Sequence, residues 1–246
     1  SFDFNGLYCA VDILKKDGDG WAIYEVKSST HEDKQVYAAD VAYQKYVLES
    51  CGVNVTGTYL ICINNEYVFD GTLDIHQLFK IADISEGVFF ESANIKTNLN
   101  VAELILKSED EPPIDLSTAC EKPYHCGFWN YCSRHVPQPS VFDLYGRSLH
   151  FDKKINFYKQ GKTKYEDLIA DKDIKNPILI RQMSYYLEEK GTYVDKSGVG
   201  EFLDTLSYPL YLLDFESVQP IIPEYIGTKP YSQIPFQYSL HYIEKE

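Results

Sequence analysis

The chain lacks what an exported or membrane-spanning protein shows. Across 246 residues no apolar run approaches the roughly 18 that a span needs, and the opening Ser1-Phe2-Asp3-Phe4 is no basic-then-apolar leader. Methionine occurs once, at Met183, so the chain is expected to be part of a longer protein. Basic residues are few: 23 Lys and Arg against 37 Asp and Glu leave a net charge of −14. That excludes a general nucleic-acid coat protein, because phosphate binding leaves a basic signature. It leaves room for an enzyme whose carboxylates hold a metal and whose basic residues are local. The six histidines are scattered, which speaks against a small-molecule metallohydrolase with a gathered histidine site. The six cysteines include no C-x(2–4)-C pair, and without an export signal a reducing, cytoplasmic setting is expected. What is present, 44% hydrophobic and 15% aromatic residues, suffices for a core and excludes a disordered chain.

Periodicity places the elements. A strand is predicted over 5–15 and a second over 21–27, joined by the turn Asp17-Gly18-Asp19-Gly20. A helix capped by Asp33 runs to Ser50 and stops at Gly52, with Val36, Ala39, Tyr43 and Val47 as its buried stripe. Strands follow at 56–64 and 67–69, then a helix over 85–107. A cysteine-bearing loop precedes a short-looped helical stretch over 140–207, in which Pro177 starts a helix, Gly191 ends one and Asp195 caps the next. The strands 208–215 and 234–243 close the chain.

The most informative stretch is Asp12 to Lys27. With residues 17–20 as the loop, Asp12 falls opposite Glu25, and strand periodicity puts Lys27 on the same face as Glu25. Two carboxylates and an ammonium in one patch suit a hard divalent cation such as Mg²⁺ or Mn²⁺. Such an ion polarises a phosphodiester, with Lys27 orienting water or offsetting developing charge. Tyr37, Asp40 and Gln44 share one face of the next helix and can look back onto this hairpin. The same spacing also suits a solvated hairpin with ordinary surface ion pairs.

Val11-Asp12-Ile13-Leu14, Tyr24-Glu25-Val26-Lys27 and Asp40-Val41-Ala42-Tyr43-Gln44 together resemble the RecB-type branch of the PD-(D/E)xK nucleases. The resemblance implies metal-dependent phosphodiester hydrolysis, with Asp12 and Glu25 as metal ligands and Lys27 and Gln44 as catalytic partners. Valine stands where the signature proline precedes the aspartate, and Leu48 stands where the branch often has the tyrosine of Q-x-x-x-Y.

Cys120, Cys126 and Cys132 lie within thirteen residues, among Pro123, Trp129 and Tyr131. The spacing fits zinc poorly, and an iron–sulphur cluster takes four thiolates. His125 and His135 are conceivable further ligands. The segment resembles the downstream half of the iron–sulphur fastener of RecB-type nucleases, which implies a [4Fe-4S] cluster of structural role with its fourth ligand upstream of Ser1.

Tyr211-Leu212-Leu213-Asp214-Phe215-Glu216 puts two acids on one face of an apolar strand. Buried together they would suit metal; at a strand end they would simply be solvated. The segment resembles the opening of an RNase H-like, DEDD-type exonuclease domain. Asp214 and Glu216 would then be its first two metal-binding acids, and the rest of the domain would lie beyond Glu246.

The expected architecture is α/β: a mixed-sheet, restriction-endonuclease-like core with flanking helices over 1–107, a cysteine loop over 108–136, a helical connector over 137–207, and a truncated RNase H-like segment over 208–246. The order of parts resembles an uncharacterised bacterial family. The expected function is that of a metal-dependent nuclease, DNA favoured, with no membrane partner. The basic stretch Arg147–Lys164 is the candidate backbone-contacting surface. The rival expectation is a non-catalytic nucleic-acid-binding or scaffold module that keeps the fold.

Overall fold

The computed structural model describes residues 1–31 and 34–245, with only the backbone of Lys34. The expected helix cap Asp33 lies outside the described residues. The chain forms two compact units, Ser1–Asp110 with Tyr208–Glu246, and Glu111–Ser207. Among the described residues no helix is long and apolar enough to cross a membrane.

In the first unit, β1 (Phe2–Phe4) and β2 (Leu7–Cys9) form a small antiparallel hairpin. Asn5 and Gly6 turn it with φ of 52° and 80°. The single strand expected over 5–15 is therefore corrected: Asn-Gly is a two-residue turn that tolerates positive φ at both positions. The chain then starts β3 (Ile13–Asp17), which pairs antiparallel with β4 (Gly20–Lys27). Ile13 faces Tyr24 and Asp17 faces Gly20, which is the register expected from the loop.

A parallel partner for β4 requires a crossover, and α1 (Lys34–Ser50) supplies it before β5 (Val55–Ile63). Gly52, at φ 83°, ends the helix, and the Val53 N–H reaches back to the Leu48 carbonyl. The short helix α2 (Ile75–Leu78), capped by Asp74, leads into β6 (Phe79–Asp83), antiparallel to β5. The fourth strand is thus β6 and not the expected 67–69 segment, which forms a loop. The sheet order β3-β4-β5-β6 is mixed, as expected of an α/β unit.

Helix α3 (Ser85–Lys107) packs with α1 against the sheet. The core gathers Ile23, Val41, Ala42, Val47, Leu48 and Leu60, each 1% exposed or less. The buried stripe of α1 runs through Ala38, Val41, Ala42, Val47 and Leu48, whereas Ala39 is exposed. Its buried side is rotated from the expected stripe, and Ala38 packs close to Gly87 of α3, where an added Cβ would come within 3.1 Å of the Ala38 Cβ.

The antiparallel ribbon β7 (Leu210–Val218) and β8 (Ile234–Ile243) belongs to the same unit. The Phe69 N–H donates to the Thr228 carbonyl and the Gly227 N–H to the Phe69 carbonyl, so the connection between the two strands is hooked to the 67–69 loop.

The second unit is helical, with α4 (Trp129–Cys132), α5 (Phe151–Lys159), α6 (Tyr165–Leu168), α7 (Pro177–Leu187) and α8 (Lys196–Asp204). Its core holds Val141, Leu144, Leu168, Leu179 and Met183. Pro177 is the first residue of α7, and Asn176 caps it by accepting from the Ile178 N–H. Asp195 caps α8. The stop after α7 comes earlier than Gly191: Glu189 takes φ 50° and the Lys190 N–H donates to the Tyr185 carbonyl.

Candidate functional site

Glu25 and Lys27 sit two residues apart on β4, so their side chains share one face of the sheet. Glu25 is 6% exposed and lies beside α1, on which Asp40 and Gln44 are one turn apart. The Lys27 Nζ donates to Glu25 Oε1 at 2.6 Å and to Asp40 Oδ2 at 3.1 Å. Gln44 Nε2 donates to Glu25 Oε2 at 2.9 Å and lies 3.5 Å from Asp40 Oδ1. The ammonium also lies 5.5 Å from the centroid of the Tyr37 ring. The face carrying Tyr37, Asp40 and Gln44 does look back onto the hairpin.

Asp12 is placed differently. The β3–β4 ladder ends at Ile13 and Tyr24, and the exposed Asp12 side chain takes up the next free donor: its Oδ2 accepts from the Val26 N–H at 2.8 Å. Asp12 therefore borders Glu25 through the backbone, while the second carboxylate on the ammonium is Asp40. That residue lay on the helix face identified from spacing, but spacing alone could not rank it above Asp12.

Burial pulls the pKa of Lys27 down, but the hydrogen bonds to Glu25 and Asp40 outweigh it, and the net shift is upward. The ammonium form of Lys27 is thus favoured by its two carboxylate partners. Gln44 is 5% exposed, and its Oε1 is buried without a hydrogen-bond partner. Buried polar atoms are nearly always paired, and leaving one unpaired costs about 1–3 kcal/mol. An amide oxygen amid carboxylates calls for a proton donor or a cation.

Among the described residues, no three His, Cys, Asp or Glu side chains are grouped so as to hold a metal. The oxygen donors do fit Mg²⁺ or Mn²⁺ in kind, because Mg²⁺ takes only one or two protein carboxylates and keeps several waters. Asp12, Glu25 and the unpaired Gln44 Oε1 are such donors.

The three loop cysteines are each half-buried. Cys120 ends a short 3₁₀ turn, Thr118–Cys120, and its carbonyl accepts from the Cys126 N–H at 2.8 Å; Cys132 ends α4. The conceivable further ligands are engaged elsewhere, His125 with Glu121 at 2.7 Å and His135 with the Tyr158 hydroxyl at 2.8 Å. Among the described residues the three thiols are not gathered into a group that could hold a metal, whereas an iron–sulphur cluster takes four thiolates.

Asp214 and Glu216 lie mid-strand in β7, opposite Ser239 and Gln237, and both are exposed. The ribbon leaves Leu213, Phe215, Tyr238 and Leu240 more than half exposed, so nothing described buries the two acids.

The basic stretch is partly consumed by the fold. Lys154 donates to the Phe142 carbonyl and Lys162 to Asp171 Oδ2, whereas Lys153 lines an open hollow with Lys175.

Residues 211–246 match the profile of a family described as a domain of unknown function, DUF2779. No curated protein and no solved structure matches the chain. The matched segment contains Asp214, Glu216 and Tyr231, and the hydroxyl of Tyr231 donates to the Ser28 carbonyl, next to Lys27.

Proposed function

We propose that the chain is a metal-dependent nuclease that hydrolyses phosphodiester bonds, DNA favoured, at the site built from Asp12, Glu25, Lys27 and Gln44. The observation that carries this reading is the buried Gln44 Oε1, unpaired beside a strand carboxylate whose charge is met by Lys27. The restriction-endonuclease-like reading of the fold draws support from the E-x-K pair on an inner strand and the glutamine on the crossover helix. The RNase H-like reading of 208–246 draws on the antiparallel β7–β8 ribbon and its two same-face acids.

Asp12 and Glu25 would hold Mg²⁺ or Mn²⁺, which supplies Lewis-acid polarisation of the phosphoryl oxygens when bound. Lys27, which the hydrogen bonds to Glu25 and Asp40 favour as an ammonium, would donate hydrogen bonds to the attacking water or the phosphoryl oxygens and offset charge developing there. Gln44 Nε2 fixes the Glu25 carboxylate, and its Oε1 is the acceptor that orients a water proton. Asp40, the second carboxylate on the ammonium, would keep Lys27 in place with a cation held at Glu25. A [4Fe-4S] cluster on Cys120, Cys126 and Cys132 belongs to the same proposal as a structural fastener, outside the chemistry.

The test is cleavage of labelled single- and double-stranded DNA and RNA with Mn²⁺, comparing the wild type with Glu25→Gln, Lys27→Ala and Asp214→Ala. Loss in the first two with retention in the third supports the proposal. Loss only in Asp214→Ala moves the chemistry to β7. A wild type inert on every substrate, with Mn²⁺ bound, makes this site a non-catalytic platform.

A further inference from the structure

Helix α7 has two unlike sides. Leu179 and Met183 face the core of the second unit, at 2% and 0% exposure. The opposite side carries Arg181 and Tyr185 one turn apart, and these line an open hollow of about 760 Å³ together with Tyr165, Tyr186, Tyr193 and Glu189, which lies just past the helix end. That volume lies within the range of small-molecule and nucleotide pockets.

The rings form two edge-to-face pairs, Tyr165 with Tyr186 and Tyr185 with Tyr193, each with centroids 5.4 Å apart. Edge-to-face packing occupies one ring's edge and leaves ring faces, of which the Lys190 ammonium lies over that of Tyr185, 5.6 Å from its centroid. Tyr186 and Tyr193 are 53% and 43% exposed. The Arg181 guanidinium stacks on Tyr193 at 3.9 Å from the ring centroid. Among the described residues Arg181 makes no ion pair, and neither the Glu189 carboxylate nor any of the four hydroxyls has a hydrogen-bond partner. Glu189 holds its place in the left-handed region, where glycine or asparagine is the usual choice.

Aromatic faces, a guanidinium with its N–H edges uncommitted and one carboxylate acceptor match the parts of a nucleotide. The rings stack a base, which is sequence-tolerant because every base has a π-face. Arginine's fork suits phosphate oxygens, and a carboxylate accepts from an exocyclic amine. A purely cationic ligand would meet Arg181 as a repulsive neighbour. The charge of the unit agrees: residues 111–207 carry 13 basic and 14 acidic side chains, so nearly all of the −14 net charge lies in the other unit.

We propose that this hollow binds an unpaired nucleotide of a single-stranded nucleic acid, base on the tyrosines and phosphate on Arg181. The proposal stands apart from hydrolysis and is tested without it. Fluorescence anisotropy of the full chain in EDTA would measure binding of short labelled single-stranded DNA and RNA, their duplexes, and a labelled proline- and arginine-rich peptide. Tyr193→Leu, Tyr193→Phe and Arg181→Met would be compared after circular dichroism confirms their folding. Single strands of either sugar should bind more tightly than duplex. Tyr193→Leu should weaken them roughly 5- to 150-fold, and Tyr193→Phe should retain binding. Arg181→Met should lower the salt slope by about 0.7. Duplex preference, peptide binding in place of oligonucleotide, or undiminished affinity in folded Tyr193→Leu would each overturn the proposal. Loss of cleavage in Glu25→Gln with oligonucleotide binding intact would leave it standing.

Discussion

The Lys27 ammonium joins Glu25 to Asp40, lying 2.6 Å from the strand carboxylate and 3.1 Å from the helix carboxylate. Because Asp40 also lies within reach of Gln44, one acid positions two of the proposed catalytic groups. Asp40 is itself 45% exposed in its side chain, so its loss should leave the core intact. Asp40→Ala is expected to retain wild-type melting within about 0.5 kcal/mol. It should nevertheless slow cleavage by up to about 10²-fold, the cost of ångström-scale misplacement. Asp40→Glu should recover part of the rate, and an unchanged kcat in Asp40→Ala would remove it from the site.

Metal binding is expected to register as stability. A ligand that binds only the folded protein stabilises it by about 2.7 kcal/mol at one hundred times its dissociation constant. Mn²⁺ should raise the melting temperature of the wild type, and Glu25→Gln should abolish that rise. Gln44→Leu should reduce it while also costing about 1.5–3 kcal/mol through the lost hydrogen bond to a charged group. Equal Mn²⁺ shifts in all three proteins would place the ion elsewhere.

What was legible in the sequence follows from where information is local. The hairpin register was readable because loop and alternation fix it: placing the turn at 17–20 puts Ile13 opposite Tyr24, as found, although the ladder stops short of Asp12 and Glu25. The β8 limits and the cap at Asp195 were likewise local. The identity of the second carboxylate on Lys27 was not, because it depends on how far α1 rotates over the sheet. A stripe of apolar letters at three- and four-residue spacing does not reveal that rotation. The Asn5-Gly6 turn carried a strong local signal that the longer apolar run obscured. The tyrosine hollow was invisible for another reason: Tyr165 and Tyr193 are distant in sequence and meet only through α7.

Gly20 opens β4 against β5, where an added Cβ would come within 2.5 Å of both the Asn54 carbonyl oxygen and Thr56 Cγ2. A backbone oxygen cannot rotate away as a side-chain tip can. Gly20→Ala should therefore destabilise by about 1–3 kcal/mol, measured by urea titration. Gly18→Ala should cost less, since nothing lies within 4 Å of its Cβ position and only its φ of 53° opposes the change. Equal costs would show that backbone conformation, and not the approach of β5, governs this turn.

Alkaline stability of the second unit should depend on Tyr158. Burial and then the hydrogen bond to Asp115, at 2.6 Å, push its pKa up to about 12. A folded pKa above the unfolded value near 10 means the neutral phenol is favoured by folding. Its contribution is complete below pH 10 and is lost as pH rises from there towards 12. Tyr158→Phe removes the hydroxyl that links Asp115 to His135, so it should lower stability by about 1 kcal/mol at pH 8. The variant should then lose less stability than the wild type between pH 10 and 12. Parallel pH profiles from chemical denaturation of the two proteins would mean that the hydroxyl is solvated in the folded state and that the link to Asp115 contributes nothing.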